Sequence, residues 1–337
     1  MLSRRTMMLA GLGLVGEPAR AQNPVLVRVG YVPVIGASAL FVLDGAGWAS
    51  EAGMAIRATR FDSGPAAIQA LASGTLDVLA IGVAPIAVAR ARGLDVRIVS
   101  AAAIGGAYLL AAPSLAGALE GADPAAGFRT FRARTGRAAR LATLPPGAVP
   151  TAALHHWLRR VARVDPPDVQ VVTLGIEAVQ QAMLAGAVDG GTVLEPSSTI
   201  VRGRNPDIQP IATTTEMLPG VPGVAIAATG AFARAQPRIL DRLVGLVARA
   251  TDLIRAEPDL AAPHAQRVLG GGLVDLATMA AALRSPAVGF VTDPRAIAEP
   301  TQRLLAFQAE LGDFETAPST DGLFDTATWD RATGRGG

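Results

Sequence analysis

Short apolar segments alternate with segments of helical periodicity along the first hundred residues. Strands are predicted at residues 25–31, 54–61, 77–81 and 95–100, because each is apolar, rich in β-branched residues and followed by a turn signal. Helices are predicted between them, over residues 38–48 from a Ser38 cap, from Pro65 to the glycine at 74, and over 85–92. This alternation favours an α/β fold in which helices cover a parallel sheet.

One unit of this pattern occurs twice. Residues 63–85 and 175–196 each contain a helix, a glycine that ends it, an aspartate that opens a buried strand, and a turn. Asp77 and Asp189 occupy equivalent places and are interpreted as structural, although an acid/base pair is the alternative. The repeat indicates two lobes of one α/β design with a site between them.

The second half of the chain repeats the alternation and then becomes helical. After an extended run at 107–112 and a loose stretch to about 126, strands are predicted at 138–143, 168–173 and 208–212. Apolar periodicity predicts a helix after residue 147, with Leu154, Trp157, Leu158 and Val161 on one stripe. A second extended run at 223–229 precedes helices that cover the rest of the chain. We predict that the two extended runs cross between a discontinuous first lobe, residues 24–110 and 223–337, and an inserted second lobe, residues 113–220.

The N-terminal residues predict an export signal. Arg4 and Arg5 precede an apolar run to residue 15, and Ala19-Arg20-Ala21 forms a small-x-small cleavage site, so residues 1–21 resemble a twin-arginine signal peptide. These residues hold three of the 30 basic and one of the 28 acidic residues, which leaves a mature chain with 27 of each. Such a balance gives no electrostatic basis for nucleic-acid binding.

The sequence also excludes several kinds of chemistry. The chain has no cysteine, which removes disulfides, thiolate metal sites and a lipid anchor, and no lysine, which removes Schiff-base catalysis. His155 and His156 are adjacent and His264 is isolated, so no metal motif is present. No nucleophile elbow, phosphate loop or dinucleotide fingerprint occurs. We therefore expect no metal, no cofactor and no catalysis.

The positive signal is a set of turns that lead into helix N-termini, where unpaired N–H groups and the helix dipole favour a small anion. Five such turns follow strands in the two halves. Those of the first half are Gly36, Ala37 and Ser38; Ser63 and Gly64; and Gly82, Val83 and Ala84. Those of the second half are Pro146, Gly147, Ala148 and Val149; and Gly175 and Ile176.

These motifs resemble a known family as a set. RVGYVP, ALASGTLDVLAIGVAP, ARGLDVRIV, TLPPGAVPTAALHHWL, MLAGAVDGGTVLEP and GVAIAATGAFARAQPRIL are similar to periplasmic substrate-binding proteins of ABC importers, in the nitrate, sulfonate and taurine group that includes thiamine-precursor binders. The resemblance covers residues 24–311. It implies a type II periplasmic-binding-protein fold, with two α/β lobes joined by two hinge strands. The chain departs from the pattern in the apolar first turn, residues 31–34, and in having no aromatic after Pro196.

The resemblance also implies a function and a site. The expected protein is a soluble, monomeric periplasmic binder that captures a small organic anion, a sulfonate, taurine or nitrate, and delivers it to a membrane permease. Matching turn by turn implies that the five turns bind the ligand, together with Glu195, which either faces the cleft or caps the helix after Pro196. The alternatives are a thiamine pyrimidine precursor as ligand, a cofactor-free enzyme on the same scaffold, and a sensor domain.

Overall fold

The computed structural model describes residues 23–270 and 274–335, so the predicted signal peptide and its cleavage site near Ala21 lie outside the described residues. Elements are numbered along the chain. One sheet has six strands: β1 (Val25–Tyr31), β2 (Met54–Arg60), β3 (Val78–Gly82), β4 (Val96–Gly105), β10 (Pro222–Thr229) and β11 (Val288–Phe290). The other has five: β5 (Ala107–Ala111), β6 (Ala139–Thr143), β7 (Val169–Thr173), β8 (Gly190–Leu194) and β9 (Gln209–Thr213).

Helices pack around both sheets. The first eight are α1 (Ser38–Gly45), α2 (Trp48–Glu51), α3 (Gly64–Ala72), α4 (Val83–Ala91), α5 (Pro113–Leu119), α6 (Pro124–Thr135), α7 (Val149–His156) and α8 (Ile176–Leu184). The other eight are α9 (Ser197–Arg204), α10 (Thr214–Met217), α11 (Gly230–Ala235), α12 (Pro237–Ala256), α13 (Pro258–Leu269), α14 (Leu276–Leu283), α15 (Arg295–Glu310) and α16 (Thr326–Thr333). Among the described residues, no helix combines the length and the apolar character that a membrane crossing requires.

The α/β architecture is confirmed, but the prediction of a parallel first sheet is wrong. The strand order is β11-β4-β10-β3-β1-β2 in this sheet and β7-β6-β8-β5-β9 in the other. Strand β1 is parallel to β2 and β3, whereas β10 returns from the second half of the chain and lies antiparallel between β3 and β4. Both sheets are therefore mixed.

The places where the chain passes between the sheets also differ from the prediction. The runs at 107–112 and 223–229 do not cross, because β5 pairs along its length with β8 and β9, and β10 pairs with β3 and β4. The chain crosses at Gly105 and Gly106, which have φ of +69° and +115°, and again at residues 218–221. Glycine is required at the first crossing because a side chain rarely tolerates these angles.

Two local predictions need correction for physical reasons. The stretch 113–126 is not loose, since Pro113 occupies the first turn of α5 and Asp123 caps α6 through the Ala126 N–H. Val161 leaves the apolar stripe of α7 and is 51% exposed, because residues Trp157–Val161 form a π-helical turn that shifts the helical period.

The repeated unit has the same construction in both sheets. Asp77 accepts hydrogen bonds from the backbone N–H of Arg28 on β1 and from the Arg28 side chain, at 2.5–2.9 Å. Asp189 accepts from the backbone N–H of Arg140 on β6 at 2.8 Å and from both guanidinium nitrogens of Arg137 at 2.6 and 2.9 Å. The structural interpretation of the two aspartates is confirmed, since each carboxylate ties its strand to the neighbouring parallel strand.

We predict that Asp189→Asn lowers the free energy of unfolding by about 1–2 kcal/mol at pH 6. This energy is kept small because the Arg137 side chain is half exposed, and solvent weakens its ion pair with Asp189. Burial raises the pKa of the Asp189 carboxyl. The hydrogen bonds that it accepts from Arg137 and from the Arg140 N–H lower this pKa by more than burial raises it, so the net shift is downward. The stability that Asp189 contributes should then be complete above about pH 4, which is the pKa of an aspartate in the unfolded chain. It should be lost as the pH falls through the lower pKa of Asp189 in the folded protein.

Urea unfolding of the wild type and the variant between pH 3 and 7 measures this difference. Asp207→Asn, at an exposed second-lobe position, is the control. A stability difference that stays constant down to pH 3 would contradict the assignment.

Candidate functional site: a cleft between the two sheets

A cavity of about 480 Å³ lies between the two sheets, beside the first crossing at Gly105 and Gly106. Ten of the predicted site residues line it. The first-sheet side contributes Gly36, Ser63, Gly64 and Gly82, and the second-sheet side contributes Pro146, Gly147, Ala148, Val149, Gly175 and Ile176. The turns that the sequence singled out therefore converge on one space, as expected for loops at the carboxyl ends of strands.

Five predicted residues do not line the cavity: Ala37, Ser38, Val83, Ala84 and Glu195. The first four are buried at the starts of α1 and α4. The prediction that Ser38 caps its helix is wrong, because Ala37 occupies the N-cap position and no side chain bonds there. The Ser38 hydroxyl is fully buried and makes no hydrogen bond within the described chain.

Glu195 belongs to the junction of the lobes. Its side chain is 1% exposed, and its Oε2 accepts the backbone N–H of Thr199 in α9 at 3.1 Å. Its backbone carbonyl accepts the Ile35 N–H and its own N–H donates to the Gly106 carbonyl, both at 3.0 Å. Of the two alternatives that the sequence left open, the structure shows the one in which Glu195 bonds the helix that follows, and Leu194 faces the cavity instead.

The cavity wall is mostly apolar. The sequence predicted apolar walls from Ala84, Ala148, Val149 and Ile176, of which the last three line the cavity and Ala84 does not. Among the 25 lining residues, Asp62, Ser63 and Thr214 carry polar side chains, and none is an arginine or histidine. Apolar residues outside the predicted turns supply much of the wall, among them Val32, Val34, Leu144, Leu194 and Val224. The signal that could have located part of this wall is proline in the first turn of a helix that follows a strand, as at Pro65, Pro85 and Pro150.

Prolines and internal hydrogen bonds also reduce the number of N–H donors that the predicted turns offer. Pro65, Pro85 and Pro150 stand in the first three positions of α3, α4 and α7 and have no N–H. The Gly147 N–H donates to Asp313 Oδ2 at 3.0 Å, and the Ala148 N–H closes a turn onto the Pro145 carbonyl. The anion site expected from these turns is therefore poorer in donors than the sequence suggested.

An ion pair joins the lobes at one side of the cavity. Arg60 at the end of β2 bonds Glu177 in the first turn of α8, and Asp62 Oδ1 lies 3.9 Å from the same guanidinium. Both positions are close to lining residues, since Asp62 and Ser63 follow Arg60, and Ile176 precedes Glu177. The hydrogen bond that Arg60 donates to Glu177 raises the pKa of Arg60 above its ordinary value. Arg60 is thus engaged by protein carboxylates.

A second set of contacts joins the lobes through α15. This helix packs on β4, β10 and α4 of the first lobe and also on α7 of the second. Asp313, just after α15, accepts the N–H of Gly147 and lies 3.4 Å from Gln308 Nε2. The Phe307 ring meets the His156 ring edge-on with centroids 5.2 Å apart, and His156 Nδ1 lies 2.7 Å from the Met217 carbonyl. His156 is therefore half-buried between Phe307 and the Met217 carbonyl.

His155 precedes His156 on α7. Burial and the charge of Arg159 lower the pKa of His155, while Asp313 opposes this shift. Within residues 23–270 and 274–335, no group of three or more histidines and carboxylates is placed to hold a metal ion.

Comparison with known proteins identifies the family. The model of the NMT1-like family matches residues 20–269, so the chain belongs to the NMT1-like family. No curated protein matches the sequence. The family resemblance inferred from the sequence is confirmed.

Several solved structures share the fold. The periplasmic nitrate-binding protein of Synechocystis PCC 6803 has 14% identity and a TM-score of 0.75, over 92% of this chain and 89% of that one. A ligand-binding component of an ABC-type import system from Staphylococcus aureus, with zinc bound, has 10% identity and a TM-score of 0.74, over 91% and 99%. The aliphatic sulphonate-binding protein of Escherichia coli has 17% identity and a TM-score of 0.69, over 90% and 92%. These similarities confirm the type II periplasmic-binding-protein fold.

We predict that the Asp313–Gly147 and Arg60–Glu177 contacts hold the lobes together in the absence of ligand. The chain has no cysteine, so two introduced cysteines at Arg92 and Arg134, exposed at the far ends of α4 and α6, can carry spin labels without background. Asp313→Ala should increase the fraction of long distances, and Asp313→Asn should do so less, because an amide oxygen still accepts the Gly147 N–H. Because Arg60 and Glu177 are exposed, Glu177→Gln should change the open-to-closed ratio by about fivefold or less.

Pulsed dipolar spectroscopy of the doubly labelled protein gives these distributions. Asp321→Asn in the same C-terminal segment is the matched control. Distance distributions that are identical in the Asp313→Ala variant and the parent would show that these contacts do not hold the lobes.

Proposed function

We propose that this protein is the extracytoplasmic solute-binding component of an ABC importer. It captures a small organic molecule between its lobes and delivers it to a membrane permease. The observation that carries the proposal is the cavity between two sheets that are joined by crossing segments, in a fold shared with proteins described as import components. Closure of two such lobes around a ligand is a common hinge motion.

The lobe boundaries belong to the same proposal. The first lobe then consists of residues 24–105 with the described residues from 222 onward, and the second of residues 107–217. The bounds predicted from the sequence are changed because β5 (Ala107–Ala111) belongs to the five-stranded sheet, so residues 107–110 fall in the second lobe. The crossings at 105–106 and 218–221 then serve as the hinge. Two connections allow closing but restrain twisting.

The ligand follows from the size and character of the cavity. A volume of about 480 Å³ with an apolar wall suits an organic body better than nitrate, which is small and strongly hydrated. A helix N-terminus stabilises an anion by about 0.3–1 kcal/mol, whereas removing an unpaired charge from water costs several kcal/mol or more. Among the predicted anions, an organic sulfonate with an apolar tail fits the cavity better than nitrate, but the cost of burying its charge counts against it as well.

A second candidate ligand is a neutral pyrimidine of the thiamine-precursor type. The absence of arginine and histidine from the lining of the described cavity favours it. Glu195 does not line the cavity, although only its Oε2 is bonded to Thr199 and its buried Oε1 has no hydrogen-bond partner within the described chain. Asp62 and Ser63 are the polar side chains at the first-lobe wall that remain for such a role.

Catalysis is not part of the proposal. The polar side chains of the lining are one aspartate, one serine and one threonine, and the threonine hydroxyl already lies 3.3 Å from both the N–H and the carbonyl of Ala107. This set contains no nucleophile with an adjacent base. Loss of a candidate ligand from solution without any product would separate binding from catalysis.

We also propose a periplasmic, monomeric mature protein that begins after Ala21. The support is the arginine pair, the apolar run and the small-x-small site in residues 1–21. Intact-mass measurement of exported protein should show a chain that begins near Gln22. A chain that retains Met1 would contradict the proposal.

The experiment that tests the binding function is a thermal-shift panel of sulfonates, nitrate, taurine and pyrimidines on the wild type and a variant with a filled cleft. Gly175 lines the cavity, has an extended backbone, and would place a Cβ more than 4 Å from other atoms, so Gly175→Leu should fill the cleft without strain. We expect any ligand to raise the melting temperature of the wild type and not of Gly175→Leu.

Gly203→Leu is the matched control, because Gly203 is exposed on α9, away from the cavity, and has the same free space around it. A ligand that stabilises both leucine variants as much as the wild type does not bind in this cleft. That result would contradict the proposed site.

A further inference from the structure

We infer that the ligand of this cleft is an uncharged organic molecule with a mostly apolar surface and a hydrogen-bond acceptor at one end. The inference rests on the proposed solute-binding function and narrows the class of ligand. Such a ligand differs from the small anion that the turns predicted. The reason is that prolines and internal hydrogen bonds leave those turns with fewer N–H donors than the sequence suggested.

The first step concerns the walls. Side chains of both lobes present apolar surface to the cavity, with Val34, Ala103 and Val224 on the first-lobe side and Leu144, Val149 and Ile176 on the second. Because the two apolar surfaces face each other across one space, the ligand that gains most from the transfer out of water is one with apolar surface on both sides.

The second step concerns charge. Asp62 is the one lining residue of the described cavity with an ionisable side chain, and that side chain is 93% exposed, which places its charge at the mouth in water. The nearby cation, Arg60, is already paired with Glu177. Neither an anion nor a cation would find a buried partner inside. An ionised ligand would lose its hydration without a compensating contact, which disfavours both signs of charge.

The third step concerns hydrogen bonds. The first N–H groups of α3, α7 and α8, at Gly64, Val149 and Ile176, make no hydrogen bond within the described chain. They belong to residues that line the cavity on both lobes. The Thr214 hydroxyl, another polar group of the lining, is engaged by the N–H and the carbonyl of Ala107. Their natural partner is a neutral acceptor such as an amide or ketone oxygen, which loses much less hydration than a sulfonate.

The test compares three probes that share one apolar body: hexanamide, hexane-1-sulfonate and hexylamine. Isothermal titration calorimetry on the full mature chain at pH 7 gives the three affinities. We expect hexanamide to bind at least about tenfold more tightly than either ion, and its affinity to change less than about twofold between 20 and 500 mM salt, since no charge is paired.

Variants locate the interaction. Asp207→Asn and Arg204→Gln should leave the affinity for hexanamide within about twofold of the wild type, because both side chains are exposed on the second lobe and do not line the cavity. Gly175→Leu should abolish binding, and Gly203→Leu should not. These four results together support an uncharged ligand inside the cleft.

Three results would overturn the inference: tighter or equal binding of hexane-1-sulfonate, tighter or equal binding of hexylamine, or no saturable binding of hexanamide at 10 mM. The failure of the proposed function is distinguishable from these. If an ion binds tightly and Gly175→Leu removes that binding, solute binding in the cleft stands and the uncharged class is wrong. If probes bind equally to Gly175→Leu, the cleft itself is not the site.

Discussion

Close backbone packing at the junction of the two sheets is the constraint on which the rest of the structure depends. A Cβ on Gly223 would lie 2.4 Å from the Gly105 carbonyl, and one on Gly105 would lie 2.5 Å from the Ala287 carbonyl. No side chain fits at such distances, so β10 and the end of β4 approach as bare backbone. The adjacent hydrogen bonds of Glu195 to Ile35 and Gly106 continue this contact into the second lobe. The junction fixes where the lobes meet, and the cavity is the space that their strand ends leave above it.

The individual elements were predictable because they depend on local sequence. The bounds of β1 agree with prediction at every residue, and the repeated helix–glycine–aspartate unit has the expected construction. The sheet order was not predictable, because β10 pairs with strands more than a hundred residues earlier in the chain. Nothing local to residues 222–229 distinguishes a strand inserted between β3 and β4 from a hinge that crosses between lobes.

The candidate site was likewise predictable only in part. Backbone turns before helices are visible in the sequence, and ten of the fifteen predicted residues line the cavity. The direction of a side chain depends on its partners in space, which the sequence does not reveal. Glu195 does not line the cleft, and its Oε2 accepts the Thr199 N–H. The Gly147 N–H is taken by Asp313 from a segment 166 residues later. The apolar residues of the wall, such as Val224, carry no motif at all.

The helix N-termini of this cleft illustrate how a shared backbone can support different recognition. The dipole of a helix depends on its peptide units and is present whatever its side chains are, so the turns of α3, α7 and α8 favour negative charge in every sequence that builds them. The first-turn residues decide whether that preference is realised. Here Pro65 and Pro150 remove donors, the walls are mostly apolar, and Arg60 is paired with Glu177 at the mouth. The remaining N–H groups still prefer an acceptor, but the surroundings no longer compensate for the hydration that a full charge would lose.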